Sequence, residues 1–302
     1  MTIQSVEVAK RKLWLAALKP PMYSVAVMPI LLGSAIAFAE TGVFNVSIFL
    51  TFLMAAVLIL VWENLSNDVF DAATGIDVNK AHSLVNLTRN KWLVFAVGNL
   101  CLGLGIAGII AIALWQNDFT VLWLILLCCL LGYAYQGPPF RLGYQGLGEI
   151  LCFFSFGPLG VGAAYYSQVQ GWSVGSQIAG VLLGITTSLV LFCSHFHQVE
   201  DDLAAGKRSP IVRLGTQRGA QFIPVCCGVV LGLILLGVGG GYWPVWTLIA
   251  LASGLSAMRL SRHVWRHHDQ PEKIFDAKFY AIGFHFWSGV LLSVGLVLPL
   301  GG

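Results

Sequence analysis

Charge is what this sequence has least of. Of 302 residues only 10% are Asp, Glu, Lys or Arg, against roughly 25% in a soluble domain, while 57% are hydrophobic. A chain so composed cannot cover a globule with polar side chains, which excludes an ordinary soluble enzyme. Basic residues are also too few for nucleic acid: the net charge is +3, but the 17 Lys and Arg do not gather into one solvated face. The seven cysteines, Cys101, Cys128, Cys129, Cys152, Cys193, Cys226 and Cys227, all sit inside apolar runs. They have neither CxxC zinc spacing nor the placement of a disulfide framework, and read as small apolar packing residues. The apolar run after Lys10, Arg11 and Lys12 is too long for a signal-peptide core and lacks a clear cleavage site, so the first span is expected to remain as an anchor.

What is present is a succession of apolar runs of membrane-spanning length, about 20 residues each. Helices are expected over Tyr23 to Ala39, Val46 to Ser66, Trp92 to Trp115, Phe119 to Tyr135, Leu147 to Tyr166, Gly175 to His195, Ala220 to Gly239, Trp243 to Leu260 and Phe279 to Leu298. With nine spans every Lys and Arg falls on one side, in the N-terminal segment or in the second-to-third, fourth-to-fifth, sixth-to-seventh and eighth-to-ninth connections. The positive-inside rule makes that side cytoplasmic. Of the fourteen acids only Glu40 and Asp118 fall in the opposite loops. The expected fold is therefore an all-α integral membrane protein, one domain over 1–302. Nine transmembrane helices surround a central cavity, with the N-terminus cytoplasmic and the C-terminus opposite.

Two acidic clusters stand out on the cytoplasmic side. At the end of the second span the chain reads Glu63-Asn64-Leu65-Ser66-Asn67-Asp68-Val69-Phe70-Asp71, followed by Gly75, Asp77 and Lys80. Asn64, Asn67, Asp68 and Asp71 share about 100° of helical arc. Carboxylates near a bilayer usually line a polar cavity, and oxygen-only ligands suit Mg²⁺, which takes one or two carboxylates and fills its shell with water and phosphate oxygens. The competing expectation is a solvated helix end whose Asn and Asp act as caps. The second cluster closes the sixth span as Ser194-His195-Phe196-His197-Gln198-Val199-Glu200-Asp201-Asp202, then Gly206-Lys207-Arg208-Ser209-Pro210. If the helix continues, Gln198, Asp201 and Asp202 share a face, and periodicity does not choose between the carboxylates. Asn67-x-x-x-Asp71-x-x-x-Gly75 recurs as Gln198-x-x-x-Asp202-x-x-x-Gly206, 131 residues on. That echo suggests a four-helix repeat, 23–135 and 147–260. Two acidic ends facing each other would repel, and two Mg²⁺ carrying a diphosphate would satisfy both.

These residues resemble the UbiA superfamily of intramembrane prenyltransferases. Asn67-Asp68-x-x-Asp71 matches its first aspartate-rich motif, and Tyr135-x-Gly137-Pro138-Pro139-Phe140-Arg141-Leu142 with Gly148-Glu149 matches the segment between the fourth and fifth helices. Asn64-x-x-Asn67-Asp68 and Gly206-Lys207-x-Ser209-Pro210 look most like the MenA branch, and His195-Phe196-His197-Gln198 resembles its cyanobacterial and plastid members. Where many relatives carry Asp-x-x-x-Asp in the second motif, this chain has Gln198 and Asp202. The resemblance implies transfer of phytyl, or another polyprenyl group, from its diphosphate to 1,4-dihydroxy-2-naphthoate. Diphosphate and CO₂ leave, in phylloquinone or menaquinone biosynthesis.

On that basis Asp68 and Asp71 are expected to bind one Mg²⁺ and Asp201 and Asp202 a second, with Asn64, Asn67 and Gln198 orienting ligands or water. Lys19, Lys80, Arg141 and Lys207 are the basic candidates for the diphosphate. His82, Arg89, Asn90 and Glu149 are the polar candidates for the acceptor. The membrane is expected to be a plasma membrane or a thylakoid, with the active site facing the cytoplasm. Homogentisate and chlorophyllide are alternative acceptors. A cation-coupled secondary transporter is the alternative of another class, disfavoured because both clusters lie at one membrane face.

Overall fold

The computed structural model describes residues 13, 14, 17, 19–74 and 83–298, and among these it contains helices and no strand. The main helices in chain order are α1 (Pro20–Thr41), α2 (Val46–Thr74), α3 (Lys91–Gln116), α4 (Thr120–Gln136), α5 (Gly148–Val169), α6 (Val174–His197) and α7 (Thr216–Gly239). After a 3-10 run over Val245–Ser253 come α8 (Gly254–His267) and α9 (Pro271–Val297). Seven of these, α1 to α3, α5 to α7 and α9, are long and apolar enough to cross a membrane, and α4 is a shorter apolar helix. The eighth expected span falls on the 3-10 run and α8.

Local chemistry explains several ends. Pro20 and Pro21 open α1, where a missing N–H costs nothing, and Gly42 closes it in the left-handed region at φ 70°. Asn45 Oδ1 accepts Ile48 N at the start of α2, Asn90 Oδ1 accepts Leu93 N at the start of α3, and Ser173 Oγ accepts Ser176 N at the start of α6. Two departures from periodicity bear on function. The span expected to stop at Ser66 continues as helix to Thr74, so the whole first cluster rides on one rigid element. The α-helix of α6 ends at Ser194, whose hydroxyl bonds back to Leu191 O; a 3-10 turn over His195–His197 and a separate short helix, Val199–Ala204, follow. The second cluster is therefore not a continuous helical face. Arg262 and Arg266, expected in a loop, lie on α8.

Packing divides the interior into two large clusters joined through α1 and α5. One gathers Leu32, Ile36, Leu182, Leu183, Phe284 and Leu292 among others from α1, α6 and α9; the second gathers Ile30, Phe52, Ile109, Ile125 and Ala164. α5 bends at Pro158, where Gly157 approaches Gly180 and Gly184 of α6 too closely for any Cβ. The windows of α1 and α6 are mostly buried, whereas those of α3 and α7 are mostly exposed apolar surface, which suits lipid contact. Trp92 and Trp115, 79% and 61% exposed, sit near opposite ends of α3. Their separation is about 34 Å at 1.5 Å per residue, close to the ~30 Å hydrocarbon thickness at which Trp collects.

Candidate active site

The continuous α2 carries Asn64, Asn67, Asp68 and Asp71 toward its C-terminal end. Asp68 and Asp71 are both buried, at 1% and 7% exposure. Asp68 Oδ1 lies 3.8 Å from Lys19 Nζ, and Oδ2 accepts the backbone N–H of Leu84 at 2.9 Å. Asp71 Oδ1 accepts from the Tyr144 hydroxyl at 3.3 Å, and that hydroxyl also lies 2.7 Å from Thr74 Oγ1. Asn67 keeps a buried Oδ1 with no hydrogen-bond partner among the described residues.

The second cluster separates its two adjacent carboxylates. Asp201 is exposed; Asp202 is buried, with Oδ1 3.2 Å from Lys207 Nζ. Asp202 Oδ2 is buried without a hydrogen-bond partner among the described residues. Lys207 is buried too, held by its N–H on Asp202 O at 2.7 Å, so the left-handed Gly206 folds the chain back onto the acid. Gln198 is half-buried where the 3-10 turn ends, and its carbonyl accepts Asp202 N at 2.7 Å.

The connection from α4 to α5 joins the two clusters. Tyr144 reaches Asp71 with its hydroxyl and accepts Arg208 N at 2.8 Å with its carbonyl. Arg213 clamps the same junction, donating from Nε to Arg208 O at 3.1 Å and from Nη2 to Gln145 O at 2.7 Å. Burial pushes the Tyr144 hydroxyl up to about 12, with the Asp71 charge adding to it, so the tyrosine stays protonated as a donor at physiological pH. A cleft of about 610 Å³ opens beside it, lined by Tyr144, Leu147, Gly206, Arg208 and Arg213 among others. Arg141 stands on the same connection, with its Nε buried and without a hydrogen-bond partner among the described residues.

Glu149 opens α5 and pairs with His195, Oε1 to Nδ1 at 3.0 Å, while its Oε2 is buried without a hydrogen-bond partner among the described residues. His195 thus belongs to the polar interior through Glu149. Arg89 and Asn90 are differently employed: Arg89 is exposed at the end of the short helix Leu84–Thr88, and Asn90 caps α3. Neither has a contact with the buried carboxylates among those described. Lys80 and His82, with Asp77, lie outside the described residues. Tyr144 and Glu63 were missed by sequence reasoning. Tyr144 stands in a loop where no periodicity speaks for it. Glu63 carried the available signal, an acid inside an apolar helix.

Among the described residues no group of three or more His, Cys, Asp or Glu side chains is close enough together to hold a metal ion. The donors on hand are single oxygens at separate places, Asp202 Oδ2 and Asn67 Oδ1, beside the Asp68 and Asp71 carboxylates. That set fits a hard cation completing its shell with water and phosphate oxygens, and does not fit a closed nitrogen or sulfur cage.

The chain matches the model of the UbiA prenyltransferase family over residues 26–289. It is 53% identical over 287 residues to the 2-carboxy-1,4-naphthoquinone phytyltransferase of Synechocystis sp., covering 95% of this chain and 94% of that protein. To the chloroplastic 2-carboxy-1,4-naphthoquinone phytyltransferase of Arabidopsis thaliana it is 41% identical over 303 residues, covering 98% and 79%. Among solved structures, a UbiA homologue from Archaeoglobus fulgidus bound to GPP and Mg²⁺ aligns with a TM-score of 0.58 at 14% identity, covering 93% of this chain and 100% of that one. At that identity the likeness concerns the fold.

Proposed function

This chain belongs to the UbiA prenyltransferase family, and on that premise we propose that it transfers a phytyl group from phytyl diphosphate to a carboxylated naphthalene diol inside the membrane. The observation that carries the reading is the Tyr144 junction: one loop residue holds the Asp71 carboxylate and the backbone beside Lys207, uniting two acidic clusters far apart in sequence. The 53% and 41% identities to two naphthoquinone phytyltransferases support the donor and the acceptor class. The names of those relatives give the acceptor as a quinone. The ring that attacks an allylic cation must be electron-rich, so the dihydroxy form, 1,4-dihydroxy-2-naphthoate, is the nucleophile.

In the proposed reaction the allylic C–O bond breaks and its electron pair leaves with diphosphate. The ring carbon bearing the carboxylate forms the new C–C bond, a ring hydroxyl becoming a ketone as its proton is lost. The C–CO₂ bond then breaks, its electrons restore the ring, and the ketone oxygen regains a proton. Asp68, Asp71 and Asp202 are the residues that would hold Mg²⁺, two ions in this reading, with Asn64, Asn67 and Gln198 orienting ligands or water. Exposed Asp201 has a lesser claim than Asp202. Bound there, Mg²⁺ neutralises charge on the departing diphosphate. Lys19 and Lys207, already seated at Asp68 and Asp202, and Arg141, with its spare Nε donor, supply further diphosphate contacts, and Lys80 is a candidate of the same kind. Tyr144 fixes the Asp71 carboxylate so that it need not reorganise as charge develops. The surrounding helices keep water from the cation.

We also read 1–302 as one domain whose nine segments cross the bilayer, with the site toward the cytoplasm of a plasma membrane or thylakoid. The four-helix repeat extends to chain order. The two acidic ends differ locally, α2 passing through its cluster unbroken and α6 breaking at His195. The test is mass spectrometry of lipids after incubating membranes with phytyl diphosphate, 1,4-dihydroxy-2-naphthoate and Mg²⁺, beside EDTA and beside homogentisate and chlorophyllide. The decarboxylated phytyl-naphthoquinol, read as the quinone after oxidation by air during extraction and formed only with metal, is the expected outcome. Product from another acceptor alone would remove the naphthoate assignment, and no product from any acceptor would return the transporter reading.

A further inference from the structure

Glu63 is an acid the mechanism above does not use. It lies on α2 one helical turn deeper than Asn67 and two turns deeper than Asp71, about 6 Å and 12 Å away along the axis. At 100° per residue the three stay within about 80° of arc, one column descending from the carboxylates into the membrane interior. Its carboxylate packs against Gly132 of α4, where a Cβ would collide with Glu63 Oε1. Its other electrostatic neighbours are Cys128, Cys129 and Cys152. Among the described residues no hydrogen bond, ion pair, Lys, Arg or His partners it. The Glu63 side chain is half-buried, and so are Cys128, Tyr135 and Cys152 on α4 and α5.

An unpartnered carboxyl inside a membrane protein is costly and marks a ligand. The chemistry of Glu63 narrows which. A carboxyl with no cation beside it repels diphosphate and carboxylate, and welcomes hydroxyl donors. The prenyl chain has none, whereas a dihydroxy aromatic ring has two. We propose that Glu63 is the acceptor-specificity residue, accepting a hydrogen bond from a ring hydroxyl and thereby turning the carboxyl-bearing carbon toward the allylic carbon. This rests on the prenyl-transfer reading above. Gly132 is then the position that leaves the carboxyl room, since a Cβ there would meet Glu63 Oε1.

The test is steady-state kinetics of purified full-length protein in lipid, varying each substrate separately, for wild type, Glu63→Gln, Glu63→Leu and Gly132→Ala. Losing the hydrogen bond is expected to raise the acceptor KM about tenfold in Glu63→Leu, which has no acceptor atom, and by less in Glu63→Gln, whose amide oxygen still accepts, with the phytyl diphosphate KM within about twofold of wild type in both. Gly132→Ala, which leaves Glu63 present but displaced, is expected to reproduce the acceptor effect. An unchanged acceptor KM in Glu63→Leu would overturn the proposal, and so would an equal rise for both substrates, which is what general disruption of the site produces. If the wild type itself transfers nothing to the naphthoate, the functional reading fails and this inference falls with it; turnover by the wild type with unaltered variants fails the inference alone.

Discussion

Asp201 and Asp202 are neighbours of identical chemistry with different fates: one exposed, the other buried against Lys207 with an oxygen to spare. Asp68 is similarly committed, to Lys19 and to the Leu84 amide. Replacing Asp68 or Asp202 by Ala is therefore expected to cost at least about 10²-fold in turnover, the scale of losing a preorganised charge-stabilising group, while size-exclusion profiles in detergent stay monodisperse. Wild-type rates in either variant would remove the two-cluster mechanism. Asp201→Ala should keep activity within about a factor of ten of wild type, the lower end of the roughly 10- to 100-fold range for a group one shell removed. Tyr144→Phe removes only the hydroxyl that joins Thr74 to Asp71. A roughly tenfold fall in kcat is expected, with a raised Mg²⁺ requirement in a metal titration. The four residues on α2 were legible because spacing on one helix is arithmetic. Tyr144 was not, because its meaning arises from Asp71, 73 residues away.

The helices are tied at the opposite end by the two acids that stand apart from all others. Glu40, in the last turn of α1, accepts Tyr165 OH at 2.8 Å and Ser173 Oγ at 2.6 Å. Asp118, between α3 and α4, accepts Thr120 N at 2.8 Å and Tyr166 OH at 2.8 Å. Two successive tyrosines of α5 thus fasten α1 on one side and the α3–α4 turn on the other. The Thr120 amide foremost, then the Thr120 and Tyr166 hydroxyls, hold the Asp118 carboxyl down at about 2, below the ~3.9 of an unfolded chain. A depressed folded value means stability that is present above about pH 4 and lost as pH falls toward 2. Thermal unfolding of the detergent-solubilised protein between pH 5 and 2 should show that loss, and Asp118→Asn should show a smaller slope over the same interval. An identical slope in the variant would mean that Asp118 does not report folding. The α3 and α6 caps at Asn90 and Ser173 are ordinary helix-start residues and were readable as types. The break of α6 at His195 was not, since nothing in the apolar period of that span announces a 3-10 turn.

For the molecule as a whole the apolar core and the apolar exterior coexist, with Trp92, Trp123 and Trp172 exposed while Phe284 and Leu32 are sealed. That arrangement is stable where the outer solvent is lipid. The proposed topology sets the α6–α7 connection on the cytoplasmic side and the α5–α6 connection opposite. Both have exposed residues, Arg208 and Gln170. Single cysteines there, in a background without the seven native ones, should react with a membrane-impermeant maleimide from opposite faces, Arg208→Cys from the cytoplasm. Labelling of both from one face would break the alternation of spans. Most of the architecture was open to sequence reading, because each apolar run is a local fact about about 20 residues.

Composition and hydropathy by themselves determined that the chain lives in a bilayer as helices, since so little charge leaves no other way to bury its backbone. The 3.6-residue period likewise placed Asn64, Asn67, Asp68 and Asp71 together on one helical face. Only the tertiary structure decided that Asp202 and not Asp201 is enclosed, that Tyr144 links both clusters, that Glu149 meets His195, and that Glu63 packs against Gly132. Each of these depends on a partner dozens of residues away or on a helix that stops short. Hydropathy and periodicity describe one segment and its solvent; burial and hydrogen bonding are properties of segments meeting.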